Sequence, residues 1–137
     1  MNTYELTLEA SVEALPQVTA FLEERLEAAD CPMKAQMQLS IAAEEIFVNI
    51  AHYAYAPGTG EATVRLELGG EPPAARVTFI DRGVPFDPLK KTDPDITLAA
   101  EDRQIGGLGI YMTKKTMDDV RYEYRDGQNI LTLVKNI

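Results

Sequence analysis

The chain has 137 residues, 45% of them hydrophobic, which suits one compact domain with a buried core, and it carries a net charge of −9 at pH 7. That charge argues against a non-specific electrostatic grip on DNA, RNA or an anionic membrane. The single cysteine, Cys31, excludes an intramolecular disulfide framework and fits a reducing compartment, and no Cys/His cluster points to zinc. No segment is long and apolar enough to span a bilayer, and the first ten residues lack a basic region followed by an apolar run, so a cytoplasmic protein without a signal peptide is expected.

Residues 3–10 alternate, with Tyr4, Leu6, Leu8 and Ala10 on one side, which predicts a strand. Ser11 offers an N-cap for the next element. Leu15, Val18, Leu22, Leu26 and Ala29 mark an amphipathic helix that Asp30-Cys31-Pro32 ends. Pro32 suits the first turn of a second helix, which runs to Pro57-Gly58. Its stretch 39–55, LSIAAEEIFVNIAHYAY, is apolar on nearly every side. Leu39, Ala43, Ile46, Ile50 and Tyr53 make one stripe; Ile41, Val48, Ala51 and Tyr55 make another. Such a helix is expected to be buried. Yet Glu45, Asn49 and His52 fall at i, i+4 and i+7 on one face, and a carboxylate taken out of water needs a partner or a task.

Residues 61–68 alternate again, and Gly69-Gly70-Glu71-Pro72-Pro73 is a turn cluster. In the returning strand, 75–81, Ala75, Val77 and Phe79 share a face, and Asp81 has the same parity, so it is expected on the covered side of the sheet. Residues 83–105 are irregular and hold Pro85, Pro88, Pro94, Lys90, Lys91 and Arg103; a loop this long in a small domain usually serves function. Gly106-Gly107-Leu108-Gly109 then leads into a helix over 110–117. Strands over 120–125 and 130–135 are joined at Asp126-Gly127, a hairpin signal. The order predicts an α+β two-layer sandwich, a mostly antiparallel sheet with helices on one face, in a single domain over 1–137.

Three pieces carry chemistry. Glu45 and Asn49 lie one helical turn apart, Asp81 and Gly83 end a strand, and Gly106, Gly107, Leu108 and Gly109 open a helix. Glycines at a helix start let backbone N–H groups approach phosphate oxygens, with the helix dipole favouring the negative charge. Asn49 offers a neutral oxygen to Mg²⁺, an ion that keeps waters and leans on phosphates for its other ligands. Glu45 is placed to take a proton from an attacking hydroxyl or water. Asp81 can accept a hydrogen bond from the exocyclic amine of a base, with Gly83 allowing close approach.

These pieces resemble the N, G1 and G2 boxes of the GHKL ATPases, a superfamily that includes gyrase, the heat-shock 90 chaperones, mismatch-repair ATPases and histidine kinases. The EIFVNIAHYAY helix and the DRGVPFDP and GGLGIYMTKKTMDDV segments are similar to the bacterial anti-sigma factor serine kinases, and the resemblance covers essentially the whole chain. It implies a Bergerat ATP-binding fold with an ATP lid over 84–105. It also implies that Glu45 is the general base, Asn49 the Mg²⁺ ligand and Asp81 the reader of the adenine amine. The activity implied is phosphorylation of a serine on a STAS-type anti-anti-sigma protein, with a sigma factor as a further partner and homodimers common. One departure stands out: the broader pattern Asp-x-Gly-x-Gly reads Asp81-Arg82-Gly83-Val84-Pro85 here. A nucleotide-binding module that sequesters a partner without phosphoryl transfer is the alternative reading.

Among the remaining residues, Arg103 is the candidate for a phosphate contact and Thr132 is placed near the adenine pocket by analogy with a threonine of related proteins. The lysines are read as solvated charges. His52 is read as a packed or supporting residue, and Met33, Met37, Met112 and Met117 as core or interface fillers.

Overall fold

Alternation over five segments builds a single antiparallel sheet, because each segment has one apolar face to bury and one that tolerates water. The computed structural model describes residues 2–90 and 107–137. In chain order these form β1 (Asn2–Glu9), α1 (Leu15–Ala28), α2 (Met33–Tyr53), β2 (Glu61–Gly69), β3 (Ala74–Asp81), α3 (Gly107–Thr116), β4 (Asp119–Arg125) and β5 (Gln128–Asn136). The strand order is β1-β2-β3-β5-β4, with every neighbouring pair antiparallel. This is the α+β sandwich expected from the sequence. The register aligns Leu6, Val64, Phe79, Leu131 and Tyr122 in one row across all five strands. That row faces the helices.

The core lies between this face and the helices. Leu22 and Leu26 of α1, Leu39, Ile46 and Phe47 of α2, and Val64, Leu66, Val77, Phe79 and Leu133 of the sheet are almost wholly buried. Each such side chain contributes about 1.5–3 kcal/mol relative to exposure. α2 packs against α1 on one flank and α3 on the other, and its inner side lies over β3 and β5. The β4–β5 hairpin turns at Asp126 and Gly127, both with positive φ, 54° and 77°, as a two-residue primed turn requires.

Several local expectations need correction. Ser11 makes no side-chain capping bond. A short 3₁₀ turn, Val12–Ala14, leads into α1, whose second residue is Pro16. α3 begins at Gly107, three residues before the expected start at 110, so two glycines lie inside its first turn. α2 is not buried on every side, because the sheet, α1 and α3 cover only part of its circumference. Met33, Met37 and Ile41 stand at 67%, 58% and 63% exposure, and Met112 of α3 is exposed as well. Of the four methionines named above, Met117 alone fills the core. Among the described residues no helix is long and apolar enough to cross a membrane.

Candidate nucleotide-binding site

The C-terminal half of α2, the end of β3 and the turn after it line a narrow cleft, with a cavity volume of about 30 Å³. Its walls are apolar, with Ile46, Ile50, Phe79 and Leu131 among them, and its polar groups are few: Asn49, Asp81, Asn129 and Tyr122. A flat heterocycle with polar edges suits such a lining.

Asp81 is 5% exposed. The pleat that turns Ala75, Val77 and Phe79 inward turns Asp81 inward too. Its Oδ1 accepts hydrogen bonds from the Gly83 backbone N–H at 2.8 Å and from Nδ2 of Asn129 at 2.9 Å. Among the described residues, these bonds leave Oδ2 for whatever enters the cleft. Gly83 is held close to the end of α2: the next residue, Val84, donates its N–H to the Ala54 carbonyl at 2.9 Å, and a Cβ on Gly83 would lie 2.1 Å from that same oxygen. Only a glycine lets this turn seat on the helix.

Asn129 ties the pieces together. It stands opposite Asp81 in the β3–β5 register. Its Nδ2 also donates to the Val84 carbonyl at 2.9 Å, while its Oδ1 accepts from the Phe86 N–H at 3.2 Å and from the Tyr122 hydroxyl. The Phe86 N–H reaches the Tyr122 oxygen as well, at 3.3 Å. The amide orientation follows from its partners, since acceptors surround the nitrogen and donors surround the oxygen. Burial pushes the Tyr122 hydroxyl above its ordinary pKa, a shift that the Phe86 N–H partly offsets. Tyr122 is therefore a neutral O–H donor at physiological pH. The Phe86 ring stacks on Tyr53 of α2 with centroids 5.6 Å apart.

Glu45 and Asn49 sit on consecutive turns of α2, both half-buried. Asn49 lines the cleft and donates Nδ2 to Oε1 of Glu45 at 3.4 Å, which among the described residues leaves its amide oxygen available. Glu45 faces the groove between α2 and α3 beside the cleft. Its carboxyl lies directly on Gly109, where an added Cβ would come within 2.1 Å of Cδ. So one glycine of the run has a task the sequence did not reveal: it leaves room for the acid. The carboxylate thereby rests in the first turn of α3, the positive end of that helix's dipole.

The structure thus brings Asn49 and Asp81 to one cleft, with Gly83 in the turn that closes it and Glu45 and Gly109 in the adjoining groove. Gly107 and Leu108 form the first turn of α3. Arg103, Gly106 and the segment 91–105 of the expected lid lie outside the described residues. Thr132 is not brought in. It pairs with Thr78 and Arg121 and has the parity opposite to Leu131 and Leu133, so it projects from the sheet face away from the helices. Asn129, three residues earlier and of opposite parity, occupies the cleft side instead. Sequence reasoning missed it along with Tyr122 and Phe86. The available signal was an amide sharing the parity of Leu131 and Leu133, where an apolar residue was due. His52 is exposed rather than packed, its ring edge against Tyr53 at 6.0 Å between centroids.

The residues fit a nucleotide and its magnesium. Asp81 keeps an acceptor oxygen in a buried apolar cleft, and Asn49 keeps an amide oxygen beside it. Among the described residues no three His, Cys, Asp or Glu side chains cluster in a way that would hold a metal. One neutral protein oxygen is what Mg²⁺ needs when phosphates and water complete its shell.

Known proteins resemble this chain in sequence and in fold. The family of histidine kinase-like ATPase domains matches residues 8–135. The serine/threonine-protein kinase BtrW of Bordetella bronchiseptica is 30% identical over 103 residues, covering 75% of this chain and 72% of that protein. The crystal structure of the RsbU and RsbW domains of Rv1364c from Mycobacterium tuberculosis superposes with a TM-score of 0.70 at 21% identity, over 99% of this chain and 32% of that one. The chain therefore spans about a third of that larger protein. The SiaB–SiaC complex from Pseudomonas aeruginosa contains a chain that matches with a TM-score of 0.59 at 19% identity, over 96% of this chain and 89% of that one.

Proposed function

The chain belongs to the histidine kinase-like ATPase domain family, and from that premise we propose that it is an ATP-dependent protein-serine kinase of the anti-sigma regulatory type. Its acceptor would be a serine on a STAS-type anti-anti-sigma protein, with a sigma factor as the partner exchanged. The observation that carries this reading is the placement of Asp81 and Asn49 in one cleft with Glu45 a helical turn away, seated on Gly109 at the start of α3.

In this reading Asp81 accepts a hydrogen bond from the adenine amine through Oδ2, while Asn129 and the Gly83 N–H hold its other oxygen. Ile46, Ile50 and Phe79 exclude water from the ring. The amides of Gly107, Leu108 and Gly109 open α3 and receive the phosphates, an arrangement that backbone N–H groups and the helix dipole favour. Asn49 offers its amide oxygen to Mg²⁺, and the bound ion supplies charge neutralisation on the phosphate oxygens. Glu45 receives the proton of the acceptor serine as the serine oxygen bonds to the γ-phosphorus and the bond from that phosphorus to the β,γ-bridging oxygen breaks, ADP carrying away the electron pair. Transfer then rests on positioning and electrostatics.

The test is incubation with ATP labelled at the γ-phosphate and purified STAS-type proteins of the same genome. Label on a serine of one of them, lost in Glu45→Ala while nucleotide binding persists, supports the kinase. A tight nucleotide-dependent complex without label would replace it with the sequestering module. Steady phosphate release without a partner would make water the acceptor.

A further inference from the structure

Glu45 has two neighbourhoods on α2. Asn49, one turn toward the C-terminus, lines the nucleotide cleft; Ile41, one turn toward the N-terminus, lines the groove that Glu45 shares with Gly109 and Met112. A nucleotide in the cleft reaches Glu45 from the Asn49 side. The acceptor hydroxyl must then arrive from the other side.

That other side is apolar and exposed. Met33, Met37 and Ile41 stand on three consecutive turns of α2, each more than half exposed, and Met112 continues the patch across to α3. The three α2 residues span about 12 Å along the helix, and Glu45 lies about 6 Å beyond Ile41. Ile41 belongs to both surface grooves: the one with Glu45 and the one in which Met33 and Met37 lie beside Glu23 and Glu27 of α1. Exposed apolar side chains in such a row mark interaction surfaces, and methionines adapt to a partner's shape. The rim is acidic. Among the described residues, Glu23, Glu27, Glu44 and Glu45 line the two grooves and no lysine or arginine does; Lys34 is on the same helix but lines neither.

We propose that the Met33–Met37–Ile41 face of α2, continued by Met112, is the docking surface for the protein acceptor of the transfer reaction, a folded partner presenting an apolar residue ringed by lysine or arginine beside its acceptor hydroxyl. This inference rests on the kinase reading for the role of Glu45. The row steers the acceptor along α2 until its hydroxyl meets the carboxylate. The acidic rim speeds the encounter and rejects acidic surfaces.

The experiment uses the full chain, wild type and Met37→Glu/Ile41→Glu, with Ile41→Leu as the conservative control. Complex formation with the purified STAS-type proteins is measured in ADP, so that it is independent of chemistry, and label transfer is measured separately in ATP. The double variant should bind the acceptor about tenfold or more weakly and raise its KM by a similar factor, while ATP affinity by calorimetry and the melting temperature stay at wild-type values; Ile41→Leu should behave as wild type. Binding of the wild type should also weaken with added salt. Unchanged acceptor binding by a folded double variant overturns the proposal. So does a change in the oligomeric state of the isolated chain with acceptor binding intact, which would make the face a contact between copies. Complex without label removes the kinase reading but leaves the docking result to stand or fall on the variants; neither complex nor label overturns both.

Discussion

Gly109→Ala separates the stability of this fold from its chemistry. An alanine is favoured over glycine inside a helix by up to about 1 kcal/mol, and Gly109 lies in the first turn of α3. The obstacle is the Glu45 carboxyl, whose Cδ would be 2.1 Å from the new Cβ, whereas ordinary contact begins at 3.4 Å. The carboxyl must therefore retreat by more than about 1 Å, a displacement that costs on the order of 10²-fold in rate when it falls on a reacting group. It sits at the end of a flexible side chain, so it can move without disturbing the backbone. The expected result is a melting temperature equal to or above wild type, ATP affinity within a few-fold, and transfer to the acceptor slowed about 10²-fold, or about 2.7 kcal/mol of transition-state stabilisation. Single-turnover transfer of labelled phosphate reads the rate; thermal denaturation and calorimetry read the controls. Glu45→Ala combined with Gly109→Ala should be no slower than Glu45→Ala alone, because both changes remove the same group. A Gly109→Ala protein that folds and transfers at the wild-type rate would refute the link between this glycine and the acid.

Other expectations follow from individual contacts. Asn129→Ala removes the amide that holds Asp81, Val84 and Phe86 together; KM for ATP should rise about tenfold, and the preference for ATP over GTP should narrow, whereas an unchanged preference would detach Asn129 from base recognition. Leu22, fully buried beneath the sheet, should lose about 2–5 kcal/mol of stability on Leu22→Ala by denaturant titration. Cys31 is buried and burial pushes its thiol pKa up, so alkylation at neutral pH should be slow in the native protein and fast in denaturant. Tyr122 titrates above the usual tyrosine range because burial disfavours its phenolate. Its contribution to stability is thus fully present below the unfolded tyrosine pKa of about 10 and is lost as pH rises through the higher folded value. Ultraviolet titration of wild type against Tyr122→Phe should show the missing phenolate at the alkaline end of the curve.

The elements were legible because their periodicities are strong. Alternation in 61–68 and 75–79 read as strands, and Asp126-Gly127 announced its hairpin. Boundaries were less legible at α3, where the glycines hid the first turn: propensity counts against glycine, but close packing with Glu45 requires one at 109. The exposure of Ile41 was misread because hydrophobicity reports what a residue tolerates rather than what covers it. Ile41 looks like core in sequence, while Met33 and Met37 suit core or interface alike; all three stand in solvent because the sheet reaches only the opposite side of the helix. Thr132 and Asn129 show the same limit for the site. Choosing between them needed the β3–β5 register, a pairing between residues 48 apart for Asp81 and Asn129, which no local pattern encodes. The parities of Asp81 and Asn129 could each be read in advance; their pairing could not.

Nucleotide recognition, docking and transfer all depend on the cleft between α2 and the sheet holding an adenine nucleotide through Asp81. Calorimetric titration of ATP with magnesium into wild type and Asp81→Asn addresses it directly. Saturable one-site binding is expected of the wild type and, with the melting temperature retained, affinity lower by about 10²-fold of the variant. No heat with the wild type, or equal affinity in the two proteins, would contradict it.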